Sequence, residues 1–478
     1  MREEIVNWVK ICVNSLVRDF QENEDAQLLV KVFITQYELN TIKSVKSNKS
    51  IKYNNQLNYA QQKIKNKIIK QQKQSISFFP NPKQIDVLFW PFQKMHLDAQ
   101  IDIYRSLTAN GELKVGIFSN NKPIADKIIQ EKLEDSISMN FSKPNWVDYK
   151  SLYFYKDLML RVEKLPTLEI NHITIYFKEI LIKSLNVWYW LYVQTVDVFE
   201  KIHKKFNPKS IFVGNSITLV GNIIGHLAVK KNIKVFCMMH GRMNDYATYC
   251  KFDYFYLFGE KDKKNLIKNG IDTSKLIVSG SPKIDIFLKT EKFKLNNNNR
   301  TILVALSGSG HSITEQHHIK ILEALYKVAL KLINIEFKFK LHKKDKFDYY
   351  KKLNSLSNVS IFGYENKSVS SNIYDWILEA DMLITGASTT ALDAMLMKCP
   401  VITIDLLGHL KNVEFIKQNV SLHSTNVNEL LYNINVILEN EKTLKNHLIT
   451  IERFIKGYYT QPKEGSSSLI EKHIKSLF

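Results

Sequence analysis

"TILVALSGSGHSITEQHHIKILEALYKVALKLINIEFKFKLH" occupies residues 301–342. It opens with an apolar, β-branched run over 301–308, which reads as a strand. A Ser/Gly turn follows. The next segment, 313–332, places apolar residues at Ile319, Leu322, Leu325, Ala329 and Leu332, the spacing of one helix face. A second strand-like run, 335–342, closes the stretch. Strand, helix, strand in this order joins two parallel strands, because parallel neighbours need a crossover rather than a hairpin.

The same rhythm continues in both directions. Downstream, "VSIFG" (359–363), "DMLITGA" (381–387) and "PVITIDL" (400–406) read as three more strands. Upstream, Glu291–Arg300 is a polar, Asn-rich linker. Before it an earlier set of strands runs through 85–90, 114–119, 210–215, 233–240, 254–259 and 276–280, and 150–205 reads as helical and aromatic-rich. The fold class is therefore α/β, with two Rossmann-like, doubly wound domains and a cleft between them. The expected divisions are a helical, basic extension over 1–80, a first domain over 81–290, a second over 291–460 and a final helix over 461–478.

The 478 residues carry a formal net charge of +20, which favours anionic partners. Residues 41–74 contain nine lysines and no acid. This stretch reads as a solvated connector or as a polybasic patch for an anionic membrane surface. The greasiest stretch, 184–193, is too short to span a bilayer. Four scattered cysteines form no CxxC pair, and no signal-peptide core is visible, so a cytoplasmic protein, peripheral at the inner face of the cell membrane, is expected.

In open α/β sheets ligands gather beyond the carboxyl ends of the strands, and the polar clusters fall there. Ser307, Gly308, Ser309 and Gly310 allow close backbone approach, and Ser312 with Glu315 fits a capping box that starts a helix near Ile313. The loop reads as a phosphate site or as a tight turn and cap only. In "ITGASTTALDAMLMKCPVITID" (384–405), Ser388, Thr389 and Thr390 supply more hydroxyls than one cap requires, which points to a nucleotide phosphate. His342 ends a strand ahead of Lys343, Lys344 and Asp345 and can donate to a phosphate, or is a surface histidine in a basic turn. His317 and His318 sit mid-helix and are expected to be solvated.

The first domain offers "VFCMMHGRMNDYATY" (235–249), where a strand stops at His240-Gly241 and Arg242, Asn244 and Asp245 follow. His240 suits a general base by its intrinsic pKa, or is a structural strand-end histidine whose Gly241 makes the turn; Asp245 is the second choice for the base. Arg242 suits an anion on acceptor or donor. Gln93 and His96 follow the first strand and are candidate acceptor contacts; alternatively Trp90 is core and His96 lies on a helix surface.

Taken in order, His240-Gly241, "YLFGEKDKKNLIKNGIDTSKLIVSGSPKID" (256–285), the "KLH" ending at His342 and "LITGASTTALDAMLMKCPVI" (383–402) resemble GT-B-fold transferases of bacterial surface polysaccharide synthesis. The nearest groups are CDP-glycerol glycerophosphotransferases and capsule-type sialyl- and Kdo-transferases. The resemblance covers about 205–410. It implies that 256–285 connects the domains, that His342 and the Ser/Thr-rich helix start hold the nucleotide phosphates, that the matching His-Gly histidine is essential, and that the last helix crosses back over the first domain. The family's His-Pro is here His342-Lys343.

The chain has no Asp-x-Asp triplet and no HxxxH or HExxH pattern, so metal-independent transfer with no cofactor and no metal site is expected. The partners are a CMP-, CDP- or UDP-linked sugar or polyol donor and a glycan or glycolipid acceptor. Two alternatives stay open: a UDP-GlcNAc 2-epimerase-like enzyme, and a non-catalytic, basic nucleic-acid- or membrane-binding protein on the same scaffold. No RNA-binding motif or zinc module supports nucleic acid, and none is expected as a partner.

Overall fold

The computed structural model describes residues 84–109, 111–119, 122–133, 136–138, 168–170, 173–175, 192, 195–214, 219–238, 251–288, 300–306, 314–342, 345–363, 373–386, 388–408, 410 and 413–478. The basic stretch 41–74 lies outside them, as does 184–193 apart from Tyr192. Among the described residues no helix is long and apolar enough to cross a membrane.

The described chain forms two compact units. The first holds the residues up to Leu257, Asp262–Lys283 and Pro462–Phe478; the second holds Phe258–Lys261 and Ile284–Gln461. In the first unit the chain lays down β1 (Val87–Trp90), β2 (Val115–Ser119) and β3 (Ser136–Ser138). Two short strands, β4 (Leu168–Ile170) and β5 (Ile173–Ile175), form a separate antiparallel pair. This corrects the reading of 150–205 as helical throughout: β-branched residues on either side of Asn171-His172 favour a paired strand locally. A helix over 195–206 then leads into β6 (Ser210–Val213), β7 (Lys234–Met238), β8 (Tyr254–Leu257) and β9 (Leu276–Val278). The sheet order is β3-β2-β1-β6-β7-β8-β9, parallel throughout. The tract 256–285 builds the edge of this sheet through β8 and β9, and it also contributes Phe258–Lys261 to the second unit and passes into it at Ile284.

The second unit contains β10 (Thr301–Val304), β11 (Glu336–Lys340), β12 (Val359–Phe362), β13 (Met382–Thr385), β14 (Val401–Ile404) and β15 (Leu422–Ser424). Their order is β12-β11-β10-β13-β14-β15, again all parallel. Alternate residues serve two cores, as the period of a strand requires. Ile302, Val304, Phe337, Phe339, Met382 and Ile384 pack under the helices Glu315–Lys331 and Val427–Glu439. Leu303, Leu383 and Val401 pack on the other face under Ile373–Glu379, Thr389–Leu396 and Glu441–Tyr458.

Carboxylates secure the starts of strands. Asp381 Oδ2 accepts the Thr301 N–H at 2.7 Å, Asp253 Oδ2 the Val235 N–H at 2.7 Å, and Asp86 Oδ2 the Lys114 N–H at 2.8 Å. Asn358 does a related job at the far end of the helix Glu315–Lys331. Its amide donates to the carbonyls of Ala329 and Leu332 at 3.1 and 3.0 Å, groups at the helix end, and to that of Ile335 at 3.1 Å in the connection to β11.

The C-terminal helix, Ser466–Lys475, packs in the first unit against the helix Lys94–Ala109. The Ser106 hydroxyl bonds Glu471, Lys475 reaches Glu112 at 2.9 Å, and the buried Tyr256 hydroxyl meets His473 Nδ1 at 2.9 Å.

Two outcomes follow. At Gly259 an added Cβ would stand 2.3 Å from the Tyr458 carbonyl oxygen, and backbone cannot swing aside as a side chain can. Gly259→Ala is expected to cost about 1–3 kcal/mol in denaturant unfolding. His447, in the helix Glu441–Tyr458, is buried, and its pKa falls from 6.5 to about 4. The unfolded chain therefore takes up this proton first as pH drops. Stability relative to His447→Gln should be full above pH 6.5 and decline by about 3 kcal/mol by pH 4. Parallel pH profiles for the two proteins would reject this.

Candidate active site

A doubly wound sheet has one place where its winding reverses. In the second unit the chain runs outward from β10 through β11 to β12, and in the other direction from β13 through β14 to β15. The helix after β10 lies in one core and the helix after β13 in the other, so the segments leaving β10 and β13 part here. Both sequence-predicted phosphate segments begin at this point. Ser307, Gly308, Ser309 and Gly310 lie between β10 and the helix Glu315–Lys331, outside the described residues.

At the end of β13 the geometry is explicit. The fully buried Thr385 donates its hydroxyl to the Ala305 carbonyl at 2.6 Å, tying the end of β13 to the residue after β10. Ser388 Oγ lies 3.4 Å from Thr385 Oγ1 and accepts the Thr390 N–H at 3.1 Å, so Ser388 is the N-cap of the helix Thr389–Leu396. A serine oxygen that accepts in this way still has a proton to donate. Thr390 is half-buried beside it, and Thr389 is the first helical residue. Thr385 escaped the sequence reading because a threonine inside a strand carries no signal of its own.

His342 follows β11, the neighbour of β10, and is half-buried. Its N–H donates to Asp345 Oδ2 at 3.0 Å, while its carbonyl accepts the Asp345 N–H at 2.8 Å. The Asp345 side chain is itself inaccessible, and the Tyr350 hydroxyl donates to its Oδ2 at 3.0 Å. His318 completes the group, with Nε2 3.2 Å from Tyr350 Oη. Both His317 and His318 are buried, contrary to the expectation of solvated residues. They belong to the first turn and not the middle of their helix, because Thr314, whose Oγ1 accepts the His317 N–H at 3.2 Å, is the cap. The proposed Ser312–Glu315 capping box is two residues too early.

The first unit reverses its winding between β1 and β6. Trp90, at the end of β1, is core and packs edge-on to Phe118. Gln93 is exposed, and its carbonyl accepts the His96 and Leu97 N–H groups at 3.0 and 3.3 Å. His96 is not on a helix surface: it is wholly buried against Gly214, the residue after β6. A Cβ at Gly214 would stand 2.3 Å from that of His96, so only glycine fits. Gln100, one turn after His96, is also fully buried and gave no sequence signal. His240, Arg242 and Asp245 follow β7, the neighbour of β6, and lie outside the described residues.

No family model matches the sequence, and no curated protein does. Solved structures do share the fold. A UDP-GlcNAc 2-epimerase from Neisseria meningitidis, solved with UDP-GlcNAc, matches with a TM-score of 0.52 at 14% identity, covering 82% of this chain and 100% of that one. MnaA of S. aureus, solved with UDP, matches at 0.52 and 11%, covering 82% and 97%. A glycosyltransferase of kitacinnamycin matches at 0.51 and 11%, covering 83% and 100%. At these identities the likeness establishes the architecture: two Rossmann-like units of the GT-B kind.

Proposed function

We propose that the second unit binds the phosphates of a nucleotide-activated sugar, CMP-, CDP- or UDP-linked. The protein is then a metal-independent transferase that moves the sugar, or a polyol phosphate, to a hydroxyl of a glycan or glycolipid acceptor. The observation that carries this reading is the hydroxyl-capped helix start at Ser388, tied through Thr385 to the end of β10 where the winding reverses. An anion there meets helix N–H groups, the positive end of the helix dipole and side-chain hydroxyls. Donors already in place stabilise charge as it develops on a leaving phosphate. In this reading Ser307–Gly310, His342 and Ser388–Thr390 hold the donor, and Arg242 and Gln93 face the acceptor. His240, or else Asp245, takes the acceptor's proton, and the buried His96 braces the segment after β6.

A second reading has support of its own, since one of the proteins sharing the fold is a UDP-GlcNAc 2-epimerase. The two differ in what they need. An epimerase changes UDP-GlcNAc at C2 with no acceptor present, whereas a transferase leaves it intact until an acceptor hydroxyl is supplied. NMR of UDP-GlcNAc incubated with the protein alone separates them. Both require nucleotide binding, so a thermal-shift screen in which CMP, CDP and UDP all fail to stabilise the protein rejects both. Where a nucleotide binds, Ser388→Ala is expected to weaken it about tenfold. Loss of the cap should also lower stability by about 1 kcal/mol; unchanged affinity counts against this site.

A further inference from the structure

We infer that Asp345, braced by Tyr350 and His318, is a positioning residue that sets the His342 turn for phosphate binding; this rests on the donor site proposed above. Asp345 has side-chain exposure of 1%. A carboxylate so deeply buried is costly unless donors surround it. Oδ2 takes the His342 N–H and the Tyr350 O–H, each at 3.0 Å, and Oδ1 lies 3.6 Å from His318 Nε2.

Other acids set the comparison. The buried Asp381 and the partly buried Asp86 and Asp253 bind N–H groups at strand starts, where they anchor the sheet. Asp345 stands at the opposite, ligand-side end, as does the buried Asp405 after β14, which holds the Leu410 N–H at 2.8 Å. It binds the amide of the residue assigned to the phosphate, and no strand or helix needs that bond.

The brace also links two stretches of chain. His318 lies in the first turn of the helix that follows β10, and Asp345 lies in the turn that follows β11. Desolvation lowers the pKa of His318, with Asp345 and Glu315 opposing. Because Tyr350 gives its one proton to Asp345, its Oη accepts from His318 Nε2, 3.2 Å away. Tyr349 bonds Glu315, tightening the same junction from outside. The start of the helix and the His342 turn therefore move together.

The test is calorimetric titration of whichever of CMP, CDP or UDP the wild-type chain binds. Asp345→Ala is expected to weaken binding about tenfold, or about 1.4 kcal/mol. Asp345→Asn keeps an acceptor oxygen for the His342 N–H and should remain within about threefold of wild type. In a His342→Ala background, Asp345→Ala should cost less than about a further twofold, since no imidazole is left to place. Equal losses in both backgrounds, or no loss with His342 present, overturn the inference. If Asp345→Ala fails to fold, Tyr350→Phe keeps the ring and removes only the brace. It should lose about threefold with His342 present and nothing without it; any other pattern overturns the inference. A wild-type chain that binds none of the three nucleotides defeats the donor-site reading itself, before any variant is compared.

Discussion

A parallel strand cannot be joined to its neighbour by a tight turn, and the two large sheets here are wholly parallel. Every connection must climb over a face of the sheet, and the strands consequently have two unlike ends. At the starting ends, N–H groups are held by acids, as at Asp381 and Asp253. At the finishing ends the chain turns outward into helix N-termini, which present donors. Reversal of the winding between β10 and β13 then separates two such helix starts. That division of labour between ends, more than any single residue, sets where helix N–H donors gather.

The finishing end of the second sheet also buries polar groups. Thr385 donates to a backbone carbonyl, and Asp345 collects an amide and a phenol. Replacing such pairs with apolar groups of equal shape is often neutral or stabilising. Their presence is poorly explained by stability and better explained by the orientation they impose. At the end of the first sheet, Gly214 and His96 fit together with no room for a Cβ.

The strands were readable because parallel strands buried on both faces appear as short apolar runs, such as "TILV" at β10 and "VITI" at β14. The hydroxyl-rich helix start at Ser388 was readable because capping leaves a local signature. Other features depend on tertiary neighbours. His318 reads as a polar residue on a helix, and only packing against Tyr350 makes it core. Asp345 looks like one more charge in a basic turn. Ser312–Glu315 satisfies a capping pattern that Thr314 fulfils in fact. The short pair β4–β5, three residues per strand, was too short to stand out within a segment read as helical. Thr385 and Gln100 gave no periodic or motif signal at all.

The first unit is assembled from chain segments that the ribosome delivers far apart. Its sheet is complete once β9 has emerged, but the helix Ser466–Lys475 follows only after all of Ile284–Gln461. During synthesis, the surface of the helix Lys94–Ala109 that receives it stays uncovered, and Tyr256 waits for His473. The second unit is thus made as a long loop closed by the first, and the entropy of closing it grows only slowly with length. Completion of the first unit is therefore a late, long-range event. A nascent chain halted before residue 466 would expose a ready-made docking face to whatever protein met it first.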